Sequence, residues 1–129
     1  QYIEFEISES IMLDNSGSLI KFVRSLREQG FECSMDDFGS GYSSLNMLKS
    51  LPVSTIKLDQ KLFSEEEKER GKIVSRGIIQ IARQLDMKVV AEGVETREYV
   101  DFLKEQKCDM IQGYYFGRPM PVDEFCTRM

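Results

Sequence analysis

An alternation that recurs along the whole chain constrains its fold more than any single motif. Short segments with apolar residues at every second position repeatedly give way to segments with the 3.6-residue period of a helix. In the first, Ile3, Phe5 and Ile7 alternate with Glu4 and Glu6, which puts both glutamates on one face of a strand. Ser16 or Ser18 then predicts the N-cap of a helix that bears Leu19, Phe22, Val23 and Leu26 and stops at Gly30. Phe31, Cys33 and Met35 next alternate against Glu32, Ser34 and Asp36, and a short segment with Leu45 and Leu48 runs to Pro52. Ile56 and Leu58 alternate with Thr55, Lys57 and Asp59, ahead of a helix expected to bury Val74, Ile78, Ile81, Ala82 and Leu85. Val89, Val90 and Ala91 end in Glu92; Thr96 predicts the cap of a helix with Tyr99, Phe102 and Leu103; Met110, Ile111 and Gln112 precede Gly113. No proline- or serine-rich linker breaks the series, so residues 1–129 read as one domain. Strands alternating with helices predict an α/β fold with parallel strands and right-handed crossovers.

Each predicted strand ends in a polar residue: Glu6, Asp36, Lys57, Glu92 and Gln112. In a (β/α) barrel these ends converge on one rim, where active sites are built. Asp36-Asp37 adds two adjacent carboxylates that pass directly into Phe38-Gly39-Ser40-Gly41-Tyr42-Ser43-Ser44-Leu45, an arrangement that offers oxygen ligands to hard cations. The plainer reading of the pair is a turn with a helix cap. Glu6 and Glu92 at equivalent strand ends favour metal binding, because carboxylates this close would otherwise repel one another and take up protons. Lys57 falls at the same rim level, where an ammonium orients a nucleophilic water or offsets charge on a phosphoryl oxygen. Gly39-Ser40-Gly41 has no following lysine and reads as a mobile active-site loop rather than a phosphate cradle. The acidic-basic run from Glu65 to Arg70 reads as a solvated helix face, and Met12, Met35, Met47, Met87 and Met110 as core filler.

Composition narrows the chemistry. The formal charge is −5, so no basic field favours a nucleic-acid polymer or an anionic membrane, and an anionic substrate needs bound cations. There is no histidine, which removes Ser-His-Asp and Cys-His catalysis and histidine-ligated zinc. Acid–base work falls to carboxylates, lysine or activated water. Cys33, Cys108 and Cys126 are odd in number and form no CxxC pair; they read as reduced thiols of a cytoplasmic protein. No apolar run reaches the ~20 residues that span a bilayer. Gln1 opens inside a strand pattern, which leads us to expect further sequence upstream.

Glu6-Ile7-Ser8-Glu9-Ser10, the stretch from Asp36 to Leu45, Lys57-Leu58-Asp59, Ala91-Glu92-Gly93-Val94-Glu95-Thr96 and Gln112-Gly113-Tyr114 resemble the successive motifs of the EAL-domain cyclic di-GMP phosphodiesterases. The resemblance runs from Gln1 to about Phe125. It implies a modified TIM barrel and hydrolysis of cyclic di-GMP to linear pGpG with two Mg²⁺ or Mn²⁺ ions. It places Glu6, Asp36 and Asp37 as metal ligands with Gln112 beside them, and Lys57 and Glu92 as catalytic groups at the hydrolytic water. It further implies substrate contacts at Asp59, Glu95 and Tyr114, with Glu9 anchoring the loop after Asp37.

A closed eight-stranded barrel needs roughly 250 residues, so a chain of 129 is expected to be the carboxyl-side portion of one EAL domain: an incomplete (β/α)8 TIM-type barrel of about five strands, its first strands missing. The family's Glu-Ala-Leu motif, nearby arginine and metal-binding asparagine lie upstream of the segment that matches Glu6. On this reading the parent is the active phosphodiesterase and carries sensory or regulatory domains. The isolated chain has little activity and covers its open edges by forming a homodimer or other self-association, the segment from Tyr42 to Leu51 contributing. The alternative is a non-catalytic EAL module that serves as a cyclic di-GMP receptor or interaction domain. Intact Glu6, Asp36, Asp37, Lys57 and Glu92 argue against it.

Overall fold

The computed structural model describes residues 3–40, 45–64 and 66–128, with the side chains of Glu9, of residues 12–16 and of residues 46 and 47 outside the description. Its strands are β1 (Glu4–Ser8), β2 (Glu32–Phe38), β3 (Thr55–Leu58), β4 (Lys88–Ala91) and β5 (Met110–Ile111). Its helices are α1 (Met12–Glu28), α2 (Leu45–Ser50), α3 (Lys68–Gln84), α4 (Arg97–Glu105) and α5 (Val122–Arg128). The strands form one parallel sheet in the order β1-β2-β3-β4-β5. Each strand therefore pairs with its neighbour in sequence, the winding of a (β/α) barrel, and among the described residues β1 and β5 each pair on one side only.

The two faces of the sheet differ in chemistry. Ile7, Cys33, Met35, Ile56, Leu58, Val89 and Ala91 are buried in the core against the helices. Glu4, Glu6, Thr55, Lys57 and Val90 face a cleft of about 910 Å³. Parallel sheets normally bury both faces; here the strands' alternation is polar toward the cleft because that face carries the candidate site.

Helix ends follow local chemistry. Gly30 (φ +88) terminates α1 through hydrogen bonds from Gly30 N to Arg27 O and from Phe31 N to Leu26 O, the left-handed cap that glycine adopts without strain. Thr96 Oγ1 accepts from Tyr99 N at 3.4 Å and caps α4 as expected, with Tyr99, Phe102 and Leu103 buried. The expected start of α1 is corrected. Helix geometry begins at Met12, after a 3-10 turn over Glu9–Ile11, so Ser16 and Ser18 lie inside the helix rather than at its cap. The chain leaves β1 through that tight turn without an extended linker. Among the described side chains of α1 the buried positions are Val23 and Leu26, with Leu19 and Ile20 packed at their margin, whereas Phe22 is exposed.

The buried stripe of α3 also differs from the expectation. It comprises Ser75, Ile78, Ile79 and Ala82, while Val74 and Leu85 are exposed. A Cβ on Gly71 would come within 2.2 Å of Leu62 O, so the small side of the helix, Gly71 and Ser75, is the one that approaches the 3-10 turn over Gln60–Phe63. Counting apolar residues alone selects a face rotated from this one. Of the methionines, Met35 is fully buried and Met87 packs on the core, but Met110 is exposed and lines the cleft. The run before α3 is corrected too: the helix begins only at Lys68, with Glu67 outside it. Lys68 and Lys72 of α3 both pair with Glu98 of α4, joining the two helices across the surface.

Ile79→Ala is expected to destabilise the chain by ~2–5 kcal/mol, the usual range for truncating a well-packed side chain, and Val74→Ala by no more than about 0.5 kcal/mol. Urea denaturation of both variants checks the assigned helix face; equal costs would contradict it.

Candidate active site

The site is assembled by strand register. Glu6 of β1 stands opposite Ser34 of β2, Ser34 opposite Thr55 of β3, and Lys57 opposite Val90 of β4. Asp36, two residues beyond Ser34, therefore comes to the level of Lys57, while Glu6 reaches it from two residues below and Glu92, just past the end of β4, from two residues above. Lys57 Nζ lies 2.7 Å from Glu6 Oε1, 2.9 Å from Glu92 Oε1 and 3.4 Å from Asp36 Oδ1. The Lys57 side chain retains only 13% exposure, so these ion pairs are less screened than surface pairs. Burial alone would lower its pKa, but hydrogen bonds to Glu6 and Glu92, with the charges of Glu92 and Asp36, hold it above the usual lysine value. At neutral pH Lys57 is a fixed cation.

Asp36 and Asp37 would point to opposite faces of a regular strand. The β2–β3 register shifts between Met35 and Phe38, and Asp37 takes φ +57, a left-handed conformation that aspartate tolerates better than most residues. The bulge keeps Asp36 beside Lys57, lets Phe38 return to the core, and brings the Asp37 carboxyl into hydrogen-bond contact with Asp59. Burial, the charges of Asp36 and Asp59, and that contact raise the pKa of Asp37, with Lys57 opposing. Asp59 Oδ1 also accepts from Lys61 N at 2.7 Å, capping the turn that follows β3.

The donor chemistry fits a hard divalent cation. Asp36 Oδ1 is buried and accepts no hydrogen bond, although Lys57 stands at ion-pair distance. Asp37 and Asp59 face each other as carboxyl groups, a repulsion that a cation would relieve. Among the described residues no three acidic side chains converge on one point that would enclose an ion. Lys57 Nζ lies amid Glu6, Asp36 and Glu92 and takes up their oxygens.

The other expected residues separate into two groups. Gln112 and Tyr114 line the cleft with Glu6 and Lys57. Gln112 is held there by backbone bonds from Gln112 N to Ala91 O (2.8 Å) and from Val94 N to Gln112 O (3.1 Å). A Cβ on Gly113 would come within 2.1 Å of Val94 O, so only glycine fits where the chain turns after β5. Glu95 is exposed beyond β4, outside the cleft lining. Glu9 opens the 3-10 turn after β1, its side chain outside the description. Residues 41–44 of the expected active-site loop also lie outside it, and with them most of the proposed dimer segment's start. Glu6 sits two residues before the end of β1 rather than at its last position.

Sequence reasoning missed Arg118, which lines the cleft together with Met110 and Phe116. The available signal was the aromatic run Tyr114-Tyr115-Phe116 bracketed by Gly113 and Gly117. The thiols take no part: Cys33, Cys108 and Cys126 are unpaired, and burial pushes Cys108 up to about 11.

Residues 1–119 match the family described as EAL domain. The chain belongs to the EAL domain family. It is 40% identical over 122 residues to the cyclic di-GMP phosphodiesterase NbdA of Pseudomonas aeruginosa, covering 94% of this chain and 16% of that protein. It is 42% identical over 121 residues to the oxygen sensor protein DosP of Escherichia coli, covering 92% of this chain and 15% of that protein. Among solved structures, the PaMucR phosphodiesterase in complex with c-di-GMP superposes with a TM-score of 0.86 at 36% identity, covering 95% of this chain and 50% of that one. The manganese/cy-diGMP complex of Klebsiella pneumoniae BlrP1 gives a TM-score of 0.82 at 30% identity, covering 90% and 30%. This EAL chain thus spans about half of one such structure and about a sixth of the curated relatives.

Two linkage effects follow from the charges. Asp37 holds its proton to higher pH folded than unfolded, so its ionisation reduces stability as pH rises from the unfolded value toward the folded one. In metal-free buffer at pH 7, Asp37→Asn is expected to raise the thermal midpoint, with the gain vanishing below that window; an unchanged midpoint at pH 7 would refute the repulsion. The Lys57 contribution is complete below the unfolded pKa of ~10.4 and is lost as pH rises through the higher folded value. Lys57→Met should therefore lower stability at neutral pH, and thermal melts above about pH 10.4 should show the gap narrowing.

Proposed function

We propose that this chain is the carboxyl-side portion of an EAL domain that hydrolyses cyclic di-GMP to linear pGpG, with Mg²⁺ or Mn²⁺, in the cytoplasm. The observation that carries the reading is the group Glu6, Asp36, Lys57 and Glu92, drawn from four neighbouring parallel strands to within 3.4 Å of one ammonium. Its similarity to proteins described as cyclic di-GMP phosphodiesterases, and to structures holding that dinucleotide, supports the substrate.

The reaction adds one water across one phosphodiester bond. Water forms the new P–O bond, the P–O3′ bond breaks, and the leaving 3′ oxygen takes up a proton. Glu6, Asp36 and Asp37 would hold the cations, with Gln112 beside them. Divalent cations supply positive charge to the phosphoryl oxygens and acidity to the attacking water. Lys57 contributes a permanent positive charge aimed at the same point, and Glu92, hydrogen-bonded to it, orients and accepts from the water. Glu6 and Asp36, which pair with Lys57 here, would be the residues to hold a cation, and Lys57 would add a fixed positive charge beside it. Asp59, Glu95 and Tyr114 are assigned to the substrate side, and Glu9 to anchoring the loop after Asp37.

The family's Glu-Ala-Leu glutamate, arginine and asparagine have no counterpart in this sequence. A protein that carries this chain behind such a segment, with its regulatory domains, is therefore the active form. The exposed apolar residues near the first strand, Ile3 and Ile11, favour self-association of the isolated chain.

Chromatographic measurement of pGpG formation tests this. The extended protein is expected to convert cyclic di-GMP in Mn²⁺, and Asp36→Asn and Asp37→Asn each to lose roughly 10²-fold or more of kcat. The 129-residue chain alone should turn over little. Undiminished activity in both variants would end the metal assignment, and dinucleotide binding by the extended protein without turnover would establish the receptor alternative instead.

A further inference from the structure

Positive charge reaches the cleft through Lys57, Arg118 and Arg128. Two of these are engaged: Lys57 with Glu6, Asp36 and Glu92, and Arg128 with Glu124 at 2.8 Å. Arg118 differs. Its guanidinium carbon stands 4.8 Å from the centroid of the Tyr114 ring, and among the described residues no carboxylate pairs with it. A guanidinium seated on an aromatic face keeps its N–H fork available while losing conformational freedom.

The Tyr114 platform is itself fixed. Gly113 packs directly on the Val94 backbone, Tyr115 N donates to Val94 O at 3.1 Å, and Phe116 N donates to Gly113 O at 3.1 Å. These bonds tie the segment to the loop that follows β4, next to Glu92. A preorganised, apolar-backed cation in a cleft of about 910 Å³ suits one face of a bulky, polar-edged ligand, since small-molecule pockets run ~300–1,000 Å³.

We infer that Arg118, seated on Tyr114, is a specificity-determining residue that reads the O6/N7 edge of a guanine base of the dinucleotide. This rests on the substrate reading above. Guanine presents two acceptors on that edge, which match an arginine fork that only donates. Adenine presents one acceptor and one amino donor there, so the same fork meets a donor with a donor. Arg118 thus selects guanine over adenine, while the carboxylates and Lys57 act on the phosphodiester common to both dinucleotides.

Isothermal titration of the extended protein with cyclic di-GMP and with cyclic di-AMP, in calcium, tests the inference; R118K keeps the charge and removes the fork. The extended wild-type protein is expected to prefer cyclic di-GMP, and R118K in it to lose about ten-fold of that affinity with cyclic di-AMP unchanged. Arg118 is exposed, so circular dichroism and the unfolding midpoint should match wild type. Equal losses for both dinucleotides would overturn the inference in favour of a phosphate contact, and no loss for either would overturn it outright. An extended wild-type protein that binds neither dinucleotide overturns the substrate reading itself, a result distinct from binding that R118K leaves untouched.

Discussion

One ammonium group gathers carboxylates from three other segments of the sheet, and most of what the chain presents to solvent at that end follows from this. Lys57 is central because β3 is the central strand, with β1 and β2 on one side and β4 and β5 on the other. Its three partners are far apart in sequence, and parallel register staggers them about it, Glu6 from below, Asp36 at its level and Glu92 from above. Without the cation, Glu6, Asp36 and Glu92 would be like charges repelling one another in a partly desolvated space. The pairs also explain how clustered carboxylates are accommodated in the folded chain.

The same sheet separates two kinds of chemistry by its pleat. Side chains facing the helices form a dense apolar core in which Met35, Ile56, Leu58 and Val89 are wholly buried. Those facing the cleft include the polar Glu4, Glu6, Thr55 and Lys57 beside the apolar Val90 and Met110. Asp37 is the exception that links the faces. A single residue in the left-handed region resets the alternation of β2, so that adjacent carboxylates serve one site and Phe38 still reaches the core.

Parallel strands and their open arc also bear on stability. β1 and β5 each leave one edge without a partner among the described residues, and the cleft lies between the polar face and the segment after β5. EAL structures of about twice the length superpose on the chain with little distortion. The sheet is thus compatible with the larger domain of its EAL neighbours.

Much was legible in the residues alone because it depends on local periodicity. The five strands, the Thr96 cap, the Gly30 stop and the convergence of Glu6, Asp36, Lys57 and Glu92 all follow from alternation, from backbone chemistry and from the rule that parallel strands point their carboxyl ends the same way. The buried face of α3 was not legible, since it is chosen by close approach at Gly71 and Ser75 and not by which side is more apolar. Nor was the pairing of Asp37 with Asp59, which needs a bulge that no pattern announces, or the seat of Arg118 on Tyr114, which depends on Gly113 packing against a different loop. The sequence by itself determined which residues would be strands, helices and acids; only the tertiary structure decided which of them touch, because contact distance is set by register and by backbone approach between segments far apart in the chain.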